Sequence, residues 1–300
     1  MEDTMPEKRC ILTATDMSDW AKFAEVRGAE LTKHLGNAEM LLVNVQEQSG
    51  LDFYAMLMAS QVLTQDLIRQ EAEKTLAETA RRLSEEKGIT VTPIIRTGKV
   101  PNEIQALLEE KKASLLVIGA HGQGYHFMPI IGNIPAKLVQ GSPCPVLIIR
   151  QEEIRPYKRV LIPIDFSEVS INQVTQSLPF IPEDSEIILM SVCESPCASR
   201  LRYANITVEI LEEYRKKVKT EALEKINQLI EALDSPRNLQ AQVEIGIPHQ
   251  VILDYIRKYD IDLLVLGKHP RNRLEEYLVG STVHYALNEA ECDVMITTPA

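Results

Sequence analysis

Three glycines set the chemistry this chain could do. Gly119 and Gly122 lie three positions apart, and Gly132 follows after nine more residues, directly before Asn133 and a helix-forming stretch. Glycine lets a backbone approach a ligand without Cβ interference, and the free N–H groups at a helix start attract an anion. That spacing suits the phosphates of a nucleotide. The competing reading is that such glycines only shape a strand-to-helix turn. Two better-known phosphate sites do not fit. Gly119 to Gly124 has the glycine spacing of a P-loop, but Tyr125-His126 replaces the Lys-Ser/Thr that would hold phosphate and Mg²⁺. A dinucleotide fingerprint would follow the first strand, where the chain reads Ala14-Thr15-Asp16-Met17 with no glycine.

Other reactive side chains point to less. His121 and His269 stand at matching turns, but no carboxylate or nucleophile is placed beside either by the sequence. Asp16-x-Ser18 and Asp165-x-Ser167 could suggest an activated serine, yet no histidine base is implied, and helix capping by the two serines explains them better. Five cysteines include Cys193 and Cys197, which lack the two-residue spacing and second ligand pair of a zinc site. Unpaired thiols and no metal are expected.

The elements that must position these residues occur twice. Leu115-Leu116-Val117-Ile118-Gly119-Ala120-His121 answers to Leu263-Leu264-Val265-Leu266-Gly267-Lys268-His269, and Cys144-Pro145-Val146 answers to Cys292-Asp293-Val294. Ile131-Gly132-Asn133 likewise matches Val279-Gly280-Ser281. An internal repeat makes each copy a folding unit in its own right. Domains over residues 1–152 and 153–300 follow. In each copy, apolar runs of strand length alternate with helical-period segments, the signature of a parallel sheet covered on both faces. The fold class is therefore α/β, with two doubly wound, Rossmann-like domains of five parallel strands each. Gly36 and Gly88 should end helices, and Pro101 and Pro248 should open them. A further helix is expected over 135–139. In such a sheet, loops at the carboxyl ends of the strands converge on a crevice at the switch point, so one crevice can gather Asp16, Gly119 and Gly132. The last strands, 146–149 and 294–297, would be apolar edges in isolated domains, and pairing of the halves there as a pseudo-dimer would cover them.

Composition narrows the partners. A net charge of −11 with no strong basic cluster gives no footprint for a phosphate backbone, so nucleic acid is not expected. Residues 1–9 lack the apolar core of a secretory signal, and no apolar run approaches the ~20 residues of a membrane span. A soluble, cytoplasmic protein with no membrane contact is expected. The apolar stretch 49–60 implies a lid or a packing surface.

Both halves resemble universal stress protein domains, and the whole chain resembles the tandem members of that family. The resemblance rests on the family's Gly-x2-Gly-x9-Gly-Ser/Thr motif behind an aspartate after strand one. The first half matches as Gly119, Gly122 and Gly132, with Asn133 in the hydroxyl position. The second matches as Gly267, Gly280 and Ser281, but Pro270 replaces the second glycine, removing an N–H and fixing φ. The resemblance implies an adenine-nucleotide alpha hydrolase-like fold. It also implies ATP, with or without Mg²⁺, in the first half, held by Ala14, Thr15, Asp16, Val45, Gly119, Gly122, Gly132, Asn133 and Ile134. A degenerate second site would comprise Pro163, Asp165, Val192, Gly267, Gly280, Ser281 and Thr282.

The implied role is a non-enzymatic stress-response or regulatory protein. Slow ATP hydrolysis stays open, and the remaining partners would be an unidentified protein and a second copy of the chain. The alternative is a nucleotide-free module of the same fold that docks a protein or a hydrophobic ligand.

Overall fold

The computed structural model describes residues 8–47, 65–121, 131–194, 207–268 and 280–299. Gly122, Tyr125, His126, Cys197, His269, Pro270 and the apolar stretch 49–60 lie outside them. The chain divides into two compact units, Met1–Arg155 and Pro156–Ala300.

In the first unit the elements run β1 (Arg9–Ala14), α1 (Asp19–Leu35), β2 (Ala38–Gln46), α2 (Gln65–Lys87), β3 (Val91–Thr97), α3 (Val100–Glu110), β4 (Leu115–Gly119), α4 (Asn133–Gly141) and β5 (Val146–Ile149). The strands are ordered β3-β2-β1-β4-β5, and all the pairings are parallel. The second unit repeats the plan. Its elements are β6 (Arg159–Pro163), α5 (Glu168–Ser177), a 3₁₀ turn (Leu178–Phe180), β7 (Glu186–Cys193), α6 (Val208–Leu233), β8 (Asn238–Ile245), α7 (Pro248–Tyr259), β9 (Leu263–Gly267), α8 (Ser281–Glu289) and β10 (Asp293–Thr297). Its order is β8-β7-β6-β9-β10, again parallel.

These segments become strands because they are apolar on both faces. Leu115 to Ile118 and Leu263 to Leu266 are all buried, as central strands of a doubly covered sheet must be. The strand order reverses direction at β1, so right-handed crossovers put α1 and α2 on one face and α3 and α4 on the other. The packing agrees, with α1 against β1, β4 and α2, and α3 against α4. On α2, Leu76, Ala80 and Leu83 recur at helical spacing and meet Ala29 of α1 and Met40 and Leu42 of β2 in one buried cluster. Gly28 lets α1 approach β1 closely, since a Cβ there would lie 2.2 Å from Thr13 Oγ1.

The helix ends follow local chemistry. Ser18 and Ser167 cap α1 and α5, their hydroxyls accepting from the amides of Ala21 and Ser170. Gly36 and Gly88 follow α1 and α2 with φ of +68° and +67°, a region that costs glycine nothing. Exposed Arg69–Glu73, Arg81–Glu85 and Arg82–Glu86 pairs lie along α2, each worth a few tenths of a kcal/mol, about 0.3–0.5. Among the described residues, Cys10, Cys144, Cys193 and Cys292 form no disulfide. Burial pushes the first two up to about 11, which leaves them protonated and unreactive. Among the described residues, no helix is long and apolar enough to cross a membrane, and no group of three or more metal-ligating side chains gathers.

Candidate functional site

The crevice opens where neighbouring strands change partners. β1 pairs with β4 only from Ile11 to Thr13, opposite Leu115 to Val117. Beyond that point Ala14 stays with Val43 of β2, while Gly119 pairs with Ile149 of β5. The parting strand ends leave a cavity of about 380 Å³ between them, within the ~300–1,000 Å³ range of small-molecule sites.

Its lining brings together eight of the residues nominated from the sequence: Ala14, Thr15, Asp16, Val45, Gly119, Gly132, Asn133 and Ile134. The ninth, Gly122, lies outside the described residues. Two kinds of surface line it. Val43, Val45, Val100, Ile104, Ile118 and Leu138 make it largely apolar. The start of α4 adds backbone N–H groups, because its N-cap, Gly132, offers no side chain to the first amides. Pro135 stands in the first turn, where a missing N–H costs nothing, so α4 begins two residues earlier than the proline suggested. The N–H groups of Asn133 and Ile134 are thereby left for a ligand at the positive end of the helix.

Among the described residues, two titratable groups lie in this lining. Asp16 Oδ1 accepts from the Ser18 amide at 3.0 Å, closing the turn after β1. His121 stands edge-on to Trp20, with ring centroids 5.7 Å apart. Its Nδ1 is buried without a hydrogen-bond partner. Burial, and then the nearby Arg150 charge, hold its pKa below the ordinary histidine value, so the ring is neutral at neutral pH.

Behind the cavity wall is a carboxylate that sequence reasoning missed. Thr15 Oγ1 donates to Glu25 Oε1 at 2.6 Å, and Glu25 on α1 is only 4% exposed. Burial pushes the Glu25 carboxyl above its ordinary value of 4.5, while the Thr15 hydrogen bond, Arg82 and Lys22 pull it back and Asp16 adds to the rise. A carboxyl whose folded pKa exceeds its unfolded one stabilises the fold fully below the unfolded value and loses that contribution as pH rises through the folded value. Glu25→Gln mimics the neutral form at every pH. Urea unfolding across a pH series should therefore show the variant gaining on the parent as pH climbs above 4.5. A gap that does not change with pH would remove burial as the cause.

The second copy places its residues at matching positions. Pro163 ends β6, Val192 lies near the end of β7, Gly267 ends β9, and Gly280 caps α8, whose first residues are Ser281 and Thr282. Asp165 accepts from both the amide and the hydroxyl of Ser167. The difference lies at the switch point. Here β6 and β9 pair only over Val160–Leu161, opposite Leu263–Leu264, and Gln173 spans the gap. Its Nε2 donates to the Pro163 carbonyl, and a Cβ on Gly267 would lie 2.8 Å from its Oε1. The matching residue in the first copy is Ala24, whose methyl group has no hydrogen-bonding atom.

Comparison with known proteins agrees with this architecture. The sequence pattern described as "Universal stress protein family" matches residues 8–150 and again 156–298. Universal stress protein MJ0531 of Methanocaldococcus jannaschii is 28% identical over 151 residues, covering 50% of this chain and 86% of that protein. Universal stress protein YxiE of Bacillus subtilis is 30% identical over 145 residues, covering 47% of this chain and 97% of that one. Each matches about half of this chain, as a single-copy relative of a duplicated protein does. Among solved structures, a universal stress protein from Archaeoglobus fulgidus superposes with a TM-score of 0.70 at 18% identity, covering 98% of this chain and 100% of that one. Two matches in succession, on two units of one fold, establish that this chain belongs to the universal stress protein family as a tandem, two-domain member.

Proposed function

We propose that the first copy binds an adenine nucleotide, ATP in the first instance, and that the protein acts by holding the nucleotide. The observation that carries this reading is the make-up of the cavity: apolar side chains and a helix start whose first amides no side chain caps line one space of small-molecule size. Asp16 and the neutral His121 belong to the same lining and add polar groups to it. An Asn133 side chain can donate to a phosphate oxygen much as a hydroxyl would. Asp16 is the one carboxylate in the lining among the described residues. A Mg²⁺ ion would then be held mainly by the phosphates and water, a common arrangement for that ion.

We read the protein as a binder because catalysis needs a base positioned toward a reacting atom. Among the described residues the lining offers Asp16, whose Oδ1 is engaged in its own turn, and His121. In the second copy Gln173 reaches both Pro163 and Gly267, the strand tips matching those that line the first cavity, so a single nucleotide per chain is expected. Calorimetry on the full chain, with ATP and with ATP plus Mg²⁺, tests both statements. Micromolar affinity at a stoichiometry near one supports them. No heat at millimolar ATP sinks the nucleotide and leaves the apolar wall to a hydrophobic ligand.

A further inference from the structure

The turn after the first strand of each copy is built on a non-glycine residue in the left-handed region, Met17 at φ +61° and Phe166 at φ +64°. Such a conformation is strained for a residue with a Cβ and persists only where neighbours hold it. The two copies hold it differently. In the second, the Asp165 amide donates to Ser170 Oγ at 3.3 Å and the Ser167 hydroxyl to Asp165 Oδ1 at 2.6 Å. In the first, the Met17 amide donates to Thr15 Oγ1 at 2.9 Å.

A hydroxyl carries one proton, and Thr15 commits it to Glu25. That choice aims an Oγ1 lone pair at Met17. The rest of Thr15 is fixed as well, its amide on the Val43 carbonyl at 2.8 Å and its carbonyl on Asn44 Nδ2 at 2.9 Å. At the positions matching Thr15 and Glu25, the second copy has Ile164 and Val174, both buried and apolar. The first copy has therefore replaced a packing pair by a hydroxyl and a carboxylate, at the expense of burying an acid. Around that acid the charged neighbours are Lys22 on its own helix, Arg82 on α2 and Asp16 in the turn itself.

We propose, resting on the nucleotide reading of this cavity, that Glu25 is a positioning residue: by orienting the Thr15 hydroxyl it sets the Asp16–Met17 turn in the geometry that meets the ligand. Glu25 never touches the nucleotide. It acts through Thr15, and the second copy, lacking the pair, has a turn tuned only for folding.

The test has two readouts on the full chain. The first, without nucleotide, is NMR hydrogen exchange at the Met17 amide. Glu25→Gln keeps an acceptor for the Thr15 hydroxyl and should leave protection near the parent's. Glu25→Leu should lower it about tenfold, the scale of one hydrogen bond. The double variant Thr15→Ile/Glu25→Val, copied from the second half, should fold with a similar unfolding midpoint yet lose the protection altogether. The second readout is ATP calorimetry, where affinity should fall in the same order, with Glu25→Gln rescued. Retained Met17 protection in Glu25→Leu and in the double variant overturns the proposal, as does ATP affinity indifferent to all three changes. Lost protection with no ATP uptake by any chain, the parent included, separates the two claims: the turn device stands and the nucleotide falls.

Discussion

Gly132→Val should abolish ATP binding in the first copy while leaving the fold intact. The reason is the position of this glycine. Its backbone, at φ −64° and ψ 155°, lies where any residue is at ease. A Cβ there would meet Pro135 Cδ at 3.4 Å and the Ala120 carbonyl oxygen at 3.8 Å, ordinary contacts that require no rearrangement. Gly119 is less suited to the test, because its Cβ would press on the His121 carbonyl oxygen at 3.2 Å. A valine at 132 therefore costs little in folding but projects branched methyl groups in front of the Asn133 and Ile134 amides. An affinity loss of at least ~100-fold, about 2.8 kcal/mol, is expected by calorimetry. The thermal unfolding midpoint should stay near that of the parent. A valine variant that binds ATP as the parent does would show that the helix start is not where the phosphates sit.

The largest expected effect on stability is in the second copy, at Tyr157→Phe. Tyr157 is 1% exposed and its hydroxyl donates to Asp293 Oδ2 at 2.7 Å, with Asp293 itself fully buried at the start of β10. Its carbonyl also accepts from the Ser185 hydroxyl, tying the strand entries together. The substitution keeps the ring, so it opens no cavity of consequence. What it removes is a donor to a carboxyl that has no access to water. Stripping one partner from a buried polar group costs roughly 1–3 kcal/mol. Urea unfolding should show a lower midpoint with an unchanged slope. A shift of a few tenths of a kcal/mol, about the scatter for surface changes, would mean that the hydroxyl contributes nothing there.

The strands were legible because each is an apolar run long enough for a buried strand and too short for a buried helix. The capping serines and the glycines after α1 and α2 were legible for the same kind of reason: one residue type meets one geometric need. The start of α4 was not. Proline at 135 reads as a helix opener, yet it stands further into the first turn, and the true start lies at Asn133. Within the site, the glycines and Asp16 could be nominated from their spacing, whereas Val100, Ile104 and Leu138 read only as core positions. Their second role appears when β1 and β4 part. Glu25 escaped because a glutamate on an amphipathic helix ordinarily faces water. Its burial depends on a threonine ten residues away. The clue was nonetheless in the repeat: Thr15 and Glu25 differ together from Ile164 and Val174. Two positions that change in concert from apolar to polar imply that each satisfies the other. Gln173 against Ala24 carries the same kind of message about the second copy.

The chain contains a single tryptophan, and that indole rests against His121 on the wall of the first cavity. Tryptophan emission thus originates beside the cavity of the first copy. The first half of this duplicated scaffold carries a built-in fluorophore at its cavity, and the second half, without a tryptophan, carries none.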